Sequence, residues 1–516
     1  MSDKFKMVIT RTLLLAIGVG GLVFSLLQLM ASVSVIGFKI PAALKYGIAV
    51  MSFSILFEFC WRFAGDWYRK KEPWIIAGVF FVLYFVVFSL VPEMGQVKMP
   101  WDSYPAQKSL TGGHFWTWHK DDAAYWVNYG YLLSALGIVF SPKLIVGQVL
   151  NGLVRALALH PIFRMSEKVS GRFMARIVTV SAAMSPALTL YSSCLLGDFI
   201  AATCYLYVIY LVMSIPDVGR LSDGNGLKWW GVGTLLGVGC LFKPVSFLFL
   251  GAIATWMVLK VLEARRARAG LIAVLALAVV IASHHVVMSA RQGMMSAMNS
   301  PAMAVSDDIK SFKFRVLFEI YSGMNIATRG IYTQSRTKTF VAAKPDDRVK
   351  MVKDMLKKDL KRYPSFMVSK FKSLWGSNDE WLGSMFYWFY MSCAPDVHKP
   401  HERNRCVKWL KPLLRAEHLF FAVFFLLGAG GFALTFKKSS HFLGIGVVSL
   451  VVSLSFVALS MIIEAHSRYK AVVYPFFFMV LPYAKLWFSS ENPLYVKLRE
   501  MSRWLFNAIR KRRGVE

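Results

Sequence analysis

Apolar runs long enough to cross a bilayer alternate with short polar connections along almost the whole chain. They lie near 12–32, 45–61, 74–91, 144–163, 175–193, 196–214, 229–242, 246–262, 270–289, 417–436, 441–463 and 471–488. A helical residue rises only ~1.5 Å and the hydrocarbon slab is ~30 Å thick, so runs of this kind serve spans rather than a soluble core. In hydrocarbon a chain must satisfy its own backbone, and the pattern predicts an all-α polytopic membrane protein with about twelve transmembrane helices. The first run has a basic flank (Lys4, Lys6, Arg11) and is too long for a signal-peptide core, so it reads as a signal anchor. Two polar segments stay outside the spans, a loop at 92–143 carrying juxtamembrane helices and a helical region at 290–415. The expected organisation is two N-terminal helices (1–73), a transmembrane core (74–289), the polar region 290–415, C-terminal helices (416–490) and a basic tail (491–516).

Composition agrees with this picture. The 516 residues are 56% hydrophobic and 17% charged, with a mean hydropathy of +0.48, where soluble domains hold about a quarter charged residues. The net charge of +31 is distributed unevenly, and that sets the expected orientation. With the N-terminus inside, the cytoplasmic side receives the basic stretches 61–71, 163–176 and 263–268, Lys437–Lys438 and the tail ending at 509–513. The run YWVNYGYLLSALGIVF (125–140) is short for a span, and counting it as one would export those basic segments; it is expected to lie along the interface. Both termini are then cytoplasmic and both large polar segments external.

This orientation gathers several polar residues on the outer face. The segment EAHSRY places Glu464, His466, Arg468 and Tyr469 where one apolar run ends. A lone Arg at a span end commonly snorkels, but a fixed cation at the outer interface also suits a lipid phosphate. Asp102 stands between Trp101 and Tyr104 just after the third run, where its plain structural role is a turn or helix cap. Asp198 opens a span after Gly197, again a capping position, and Lys243 precedes Pro244 in a turn between two spans, where it reads plainly as a solvated lysine. Ionisable residues at the membrane edge are functional candidates by default, and several on one face weigh more than any alone.

In this order the motifs resemble a known family. A carboxylate in the first external loop is followed by Asp198 in SPALTLYSSCLLGDF, the Lys-Pro turn of FKPVSF, GMNIATRGIY (323–332), and the ending Glu464, Arg468, Tyr469, Pro475. The chain resembles the GT-C superfamily of integral-membrane glycosyltransferases, on the branch of the protein mannosyltransferases and the lipid A aminoarabinose transferase, over roughly residues 74–488. The resemblance implies transfer of a sugar from a polyprenyl-phosphate donor to an acceptor hydroxyl or phosphate on a lipid, glycan or protein outside the cytoplasm, with inversion. It implies Asp102 as general base or positioner, Arg468, Lys243 and Tyr469 at the donor phosphate, and Asp198, Asn325, His466 and Glu464 at sugar hydroxyls or in support. No cofactor is expected. A divalent metal is compatible with the pattern but not required by it, because Asp102 is followed by Ser103 and Tyr104 rather than a second acid.

Other classes fit parts of the pattern. A secondary transporter or flippase of lipid-linked sugars shares the span number, and FAGDWYRKK (63–71) is similar to the cytoplasmic basic turn of major-facilitator proteins. Such transporters place their longest break between two halves and bind at mid-membrane, whereas here the break follows the ninth run. An O-antigen ligase or lipid-sugar polymerase shares the donor class. The basic stretch 350–375 reads as a solvated helix on the protein body or as an interfacial helix meeting anionic headgroups or an acidic acceptor, with membrane lipids preferred and no nucleic acid expected. Of six cysteines, Cys393 and Cys406 alone share a polar external segment, and an oxidising compartment predicts a disulfide between them.

Overall fold

The computed structural model describes residues 3–32, 40–63, 66–90, 124–140, 144–192, 197–215, 225–263, 268–297, 312–328, 330, 339–375, 417, 419–434, 440–463, 472–488 and 500. The regular elements among them are all helical, with no strand. In chain order they are α1 (Asp3–Ser32), α2 (Ile40–Phe63), α3 (Asp66–Leu90), α4 (Ala124–Val139), α5 (Leu144–Ser170), α6 (Arg172–Met184), α7 (Pro186–Ser192), α8 (Asp198–Met213) and α9 (Asn225–Phe242). There follow α10 (Ser246–Glu263), α11 (Arg268–Ala297), α12 (Phe312–Gly323), α13 (Pro345–Lys358), α14 (Tyr363–Trp375), α15 (Leu419–Ala433), α16 (Ser440–Ile462), α17 (Tyr474–Phe478) and a 3-10 helix at Leu481–Phe488.

Most helices fall where the apolar runs predict them. Among the described residues, Ile145–Ser170, Ala269–Gly293 and Gly444–Ile462 are long and apolar enough to cross a membrane, and shorter apolar helices accompany them. Two runs break, and proline is the reason each time. The run 175–193 divides at Ser185–Pro186 into α6 and α7, because Pro186 has no N–H to continue the ladder and suits the first position of a new helix. Ser185 caps that new helix, its Oγ accepting from the Leu188 N–H at 3.2 Å. The run 471–488 becomes the single turn α17, with Pro475 near its start, followed by a 3-10 helix containing Pro482.

Apolar residues also cover much of the outside. Leu271, Val274, Leu275, Ile281 and Val286 are exposed on α11, and Val19, Val23, Leu26 and Leu27 on α1, surfaces that suit hydrocarbon rather than water. Inside, α5 packs against α3, α6, α8 and the 3-10 helix, and α9 lies between α8 and α11. Small residues allow this close approach: a Cβ on Gly233 would overlap Ser283 Oγ and the Val280 carbonyl, and one on Gly237 would stand 2.8 Å from the Val287 Cβ.

The two ends of the bundle differ in chemistry. At one end Arg176, 1% exposed, bonds both Glu72 and Glu58. Arg172 reaches Glu72 at 3.3 Å and Glu167 at 2.8 Å, and Arg164 reaches Glu167 at 3.1 Å. The basic stretches 61–71 and 163–176, assigned to one side by their charge, therefore lie together, laced by the acids between them. Lys485 joins them by donating to the Ser170 carbonyl at 2.9 Å.

Gly233→Val should lower the apparent melting temperature of the detergent-purified protein markedly, because α9 and α11 have no room for the side chain. Gly251→Ala, whose Cβ meets nothing within 4 Å, should leave it unchanged or raise it slightly. A thermal unfolding series on the two variants checks this.

Candidate functional site

Two residues nominated singly by the sequence meet in the structure. Asp198 is the first residue of α8 and Lys243 sits in the turn between α9 and α10, and their side chains form an ion pair at 3.0 Å with 4% and 7% of their surfaces exposed. This corrects both plain readings. Asp198 does not act as the helix cap, a position held by Gly197 without a side-chain bond, and Lys243 is not a solvated turn lysine. The carboxylate also lies in the first turn of α8, where the positive end of the helix dipole favours it.

The Lys-Pro turn is fixed from several sides. The Lys243 N–H donates to the Gly239 carbonyl at 2.9 Å, and its own carbonyl accepts from Val245 N–H at 2.8 Å and Tyr205 Oη at 2.7 Å. One residue pair earlier, the Leu241 carbonyl accepts from Asn128 Nδ2 at 2.6 Å, and Asn128 Oδ1 accepts from Arg291 Nε at 3.1 Å. Asn128 belongs to α4, whose Tyr129 and Leu133 pack on Leu150, Ile200 and Phe242. Thus α4 sits against this end of α8 and α9.

A second nominated segment lies at the same end. Asn325 is 4% exposed, and its Oδ1 accepts from the Ala327 N–H at 3.1 Å, opening the short 3-10 turn Ile326–Thr328. Its carbonyl accepts from the N–H of Gly330 at 2.9 Å, and Gly330 has φ +74°, a conformation that favours glycine. Lys370, 2% exposed, binds this turn to the end of α16 by donating to the carbonyls of Gly323, Met461 and Ile463 at 2.6, 3.0 and 2.5 Å. The start of α16 fixes the level: a Cβ on Gly444 would lie 2.7 Å from Trp256 Nε1, past the middle of α10, and 2.9 Å from Met213 Sδ, at the last residue of α8. The far end of α16, at Ile463, therefore lies at the end where α8 and α10 begin, which is the Asp198–Lys243 end.

Asp102, Glu464, His466, Arg468, Tyr469, Cys393 and Cys406 fall outside the described residues. The stem of the 464–469 segment is described, however, and it is joined to the Asn325 turn as above. Cys60, Cys204 and Cys240 are free thiols. Among the described residues no three His, Cys, Asp or Glu side chains gather closely enough to hold a metal ion.

The sequence reading passed over a polar centre deeper in the bundle. Arg155, 3% exposed, donates through Nη1 to Thr189 Oγ1 at 2.8 Å and through Nη2 to the carbonyls of Ala183 and Ser185 at 2.6 and 3.3 Å. Its guanidinium lies 4.1 Å from the centre of the Tyr84 ring. Tyr84 Oη donates to the Ala183 carbonyl at 2.8 Å, and Tyr46 Oη to that of Ser181 at 3.0 Å. Glu417, 1% exposed, accepts from Ser185 Oγ and, at 3.2 Å, from Tyr474 Oη. The missed signal was plain: Arg155 is the only Lys, Arg, Asp or Glu in the apolar run 144–163.

The described helices thus form a bundle with an apolar exterior and an apolar core that encloses a small polar centre, the character of a membrane protein. No family model matches the chain, and no curated protein matches it. Among solved structures it is similar to the archaeal oligosaccharyltransferase AglB from Archaeoglobus fulgidus, in complex with an inhibitory peptide and a dolichol-phosphate, at 12% identity and a TM-score of 0.39. The similarity covers 87% of this chain and 53% of that one, so the chain spans about half the length of that protein.

Asp198→Asn leaves a buried ammonium without its counter-charge, and Lys243→Met leaves a buried carboxylate. Each should cost about 3–5 kcal/mol, seen as a lower melting temperature, while the double variant recovers most of the loss because no buried charge is left over. A double variant that loses the sum of the two single losses would show that the two charges do not interact.

Proposed function

We propose that this chain is a GT-C-type glycosyltransferase that moves a sugar from a polyprenyl-phosphate donor to an acceptor on the external face of the membrane. The reading takes the chain as a multi-pass protein of the cytoplasmic membrane with about twelve spans and both termini inside. The observation that carries it is the shared end: the Asp198–Lys243 pair, the Asn325 turn and the stem of the segment bearing Arg468 all lie there. These are the segments whose order in the chain resembles that family.

The chemistry follows from charge. As the glycosidic bond to the lipid phosphate breaks, negative charge grows on the departing phosphate, and cations held in a low-dielectric rim stabilise it. Arg468 offers a planar fork for two phosphate oxygens, and Lys243 offers a point charge that a phosphate has to draw away from Asp198. Asp102 takes the proton from the acceptor hydroxyl, or holds that hydroxyl in line, on the face opposite the leaving phosphate, which inverts the anomeric centre. Tyr469, His466, Glu464, Asp198 and Asn325 are assigned to the phosphate rim, to sugar hydroxyls or to support.

The buried Arg155 and Glu417 favour a second reading, since transporters bind charged substrates at mid-depth. The partners of Arg155 argue against it. Its two terminal nitrogens are engaged with carbonyls and hydroxyls around the break between α6 and α7, which is a structural use of the charge.

In purified protein supplied with polyprenyl-phosphate sugar, Asp102→Asn should lower kcat by about 10²-fold or more with unchanged melting, because the amide accepts no proton. Near-wild-type turnover removes Asp102 from the role of base. Arg468→Ala should raise the donor KM more than Arg468→Lys does, since lysine keeps the charge and loses the fork. Identical kinetics in all three forms would mean that Arg468 only snorkels. Comparing envelope glycolipids and glycoproteins by mass with and without the gene identifies the sugar and the acceptor.

A further inference from the structure

We propose that one face of α3 is a docking site for an anionic phospholipid, with Lys70 and Lys71 at the headgroup phosphate, Trp74 at the glycerol level and an acyl chain along Gly78 and Val82. It lies at the arginine-rich end, where α8 finishes and Lys168 donates to the Met213 carbonyl at 3.3 Å. The site is therefore separate from the Asp198–Lys243 pair and holds whether or not the chain transfers a sugar.

The face is written in the sequence. In DWYRKKEPWIIAGVFFV (66–82), Trp67, Lys70, Lys71, Trp74, Gly78 and Val82 recur at spacings of three and four, which line one side of a helix. In the structure these positions are exposed, Trp67 at 70%, Trp74 at 42% and Val82 at 57%. Glu72, Ile76, Phe80 and Tyr84 are buried on the other side. Lysines and tryptophans at one end with apolar positions beyond them match the order of a lipid, headgroup first and chains after. Gly78 adds room: a Cβ there would meet nothing within 4 Å, which leaves a notch between Trp74 and Val82.

This face is held rigid from behind. Pro73 has no N–H to offer the Arg69 carbonyl, which is thereby left open inside the helix. Arg172 Nη2 donates to that carbonyl at 2.8 Å and Arg164 Nη2 to the Lys70 carbonyl at 3.0 Å, so α3 continues through the proline. The Trp74 ring is stacked on His160 of α5, with centroids 4.2 Å apart and planes 16° from parallel. His160 in turn meets Tyr210 edge-on at 5.5 Å. A fixed indole and a fixed backbone beneath two lysines leave little to be ordered when a ligand arrives.

Charge complementarity decides the occupant. The carboxylates of this end are engaged by arginines: Asp66 by Arg69, Glu58 by Arg62 and Arg176, Glu72 by Arg172 and Arg176, and Glu167 by Arg164 and Arg172. Among the described residues no carboxylate is paired with Lys70 or Lys71, so two exposed ammoniums stand beside an apolar face. A headgroup phosphate supplies the missing charge while its chains cover the apolar positions, which a soluble anion does not do. A zwitterionic lipid brings its own cation and gains less from the lysines.

The test uses the full-length protein in detergent, titrated with phosphatidylglycerol or phosphatidylcholine of identical chains, with the first bound lipid read by native mass spectrometry. Wild type should hold phosphatidylglycerol about tenfold tighter or more, the scale set by two lysines at an anionic lipid. Lys70→Gln/Lys71→Gln should remove most of that preference at an unchanged melting temperature. Lys357→Gln/Lys358→Gln, which takes the same charge from exposed lysines of α13, should keep it. Gly78→Phe fills the notch without touching a charge and should weaken both lipids alike by several-fold. Loss of the preference in both lysine pairs would mean that net charge alone acts, and it overturns the site. Equal wild-type affinity for the two lipids overturns it as well, as does wild-type binding in Gly78→Phe. If the protein instead leaves the membrane with a second protein bound, and Lys70→Gln/Lys71→Gln releases that protein, the face docks a protein and the lipid proposal fails.

Discussion

A helix broken inside an apolar bundle releases carbonyls that water cannot reach, and the closure of one such break organises the centre of this protein. At the break between α6 and α7 the carbonyls of Ser181, Ala182 and Ala183 are met by Tyr46 from α2, Tyr84 from α3 and Arg155 from α5. Leaving such groups unpaired in hydrocarbon would cost several kcal/mol each. Three helices are therefore fixed around the break by polar bonds, and the apolar packing of α3 and α5 fills in between. The guanidinium brings a buried positive charge with it, and Glu417, bonded to Ser185 and Tyr474, supplies a negative one in the same polar centre. The centre holds the scaffold on which the end of the bundle is built.

That end and its opposite use charge differently. Around Arg176 the ions form a lattice of alternating sign in which Arg172 and Arg176 bind carboxylates on neighbouring helices. At the other end, among the described residues, Lys243 is paired with Asp198 and Lys370 donates to three carbonyls. A lattice suits rigidity, because losing one partner leaves others.

The sequence made the helices legible, since most of those described lie where the apolar runs are, and three of them are long and apolar enough to cross a membrane. Pro186, Pro475 and Pro482 caused the misreadings, since hydropathy counts proline's neighbours and not its missing N–H. Ser185–Pro186 did carry a signal, a capping serine followed by a proline at the first helical position, but it was embedded in an apolar stretch. Asp198 and Lys243 were each visible as membrane-edge charges. Their pairing was not, because it joins residues 198 and 243 through a packing geometry that no local pattern encodes. Lys370 was hidden for the opposite reason: it lies in a basic, amphipathic stretch where lysines are ordinarily solvated, and only the convergence of two helix ends distinguishes it from Lys357 or Lys361.

The two buried lysines are held by different kinds of partner. The cage of Lys370 is made of backbone carbonyls, which neither titrate nor swing away, so its charge is committed to the fold. Lys243 faces a side chain, and a carboxylate on the first turn of α8 keeps a stabilising helix dipole even when its lysine moves. The Tyr205 bond meanwhile holds the Lys243 carbonyl rather than its ammonium, so the turn stays in place while the side chain is exchanged. Of the two, Lys243 is the one held by a side chain, which can move, rather than by backbone. Under the transfer proposed above, a donor phosphate would draw on that difference, taking the place of Asp198 at the ammonium.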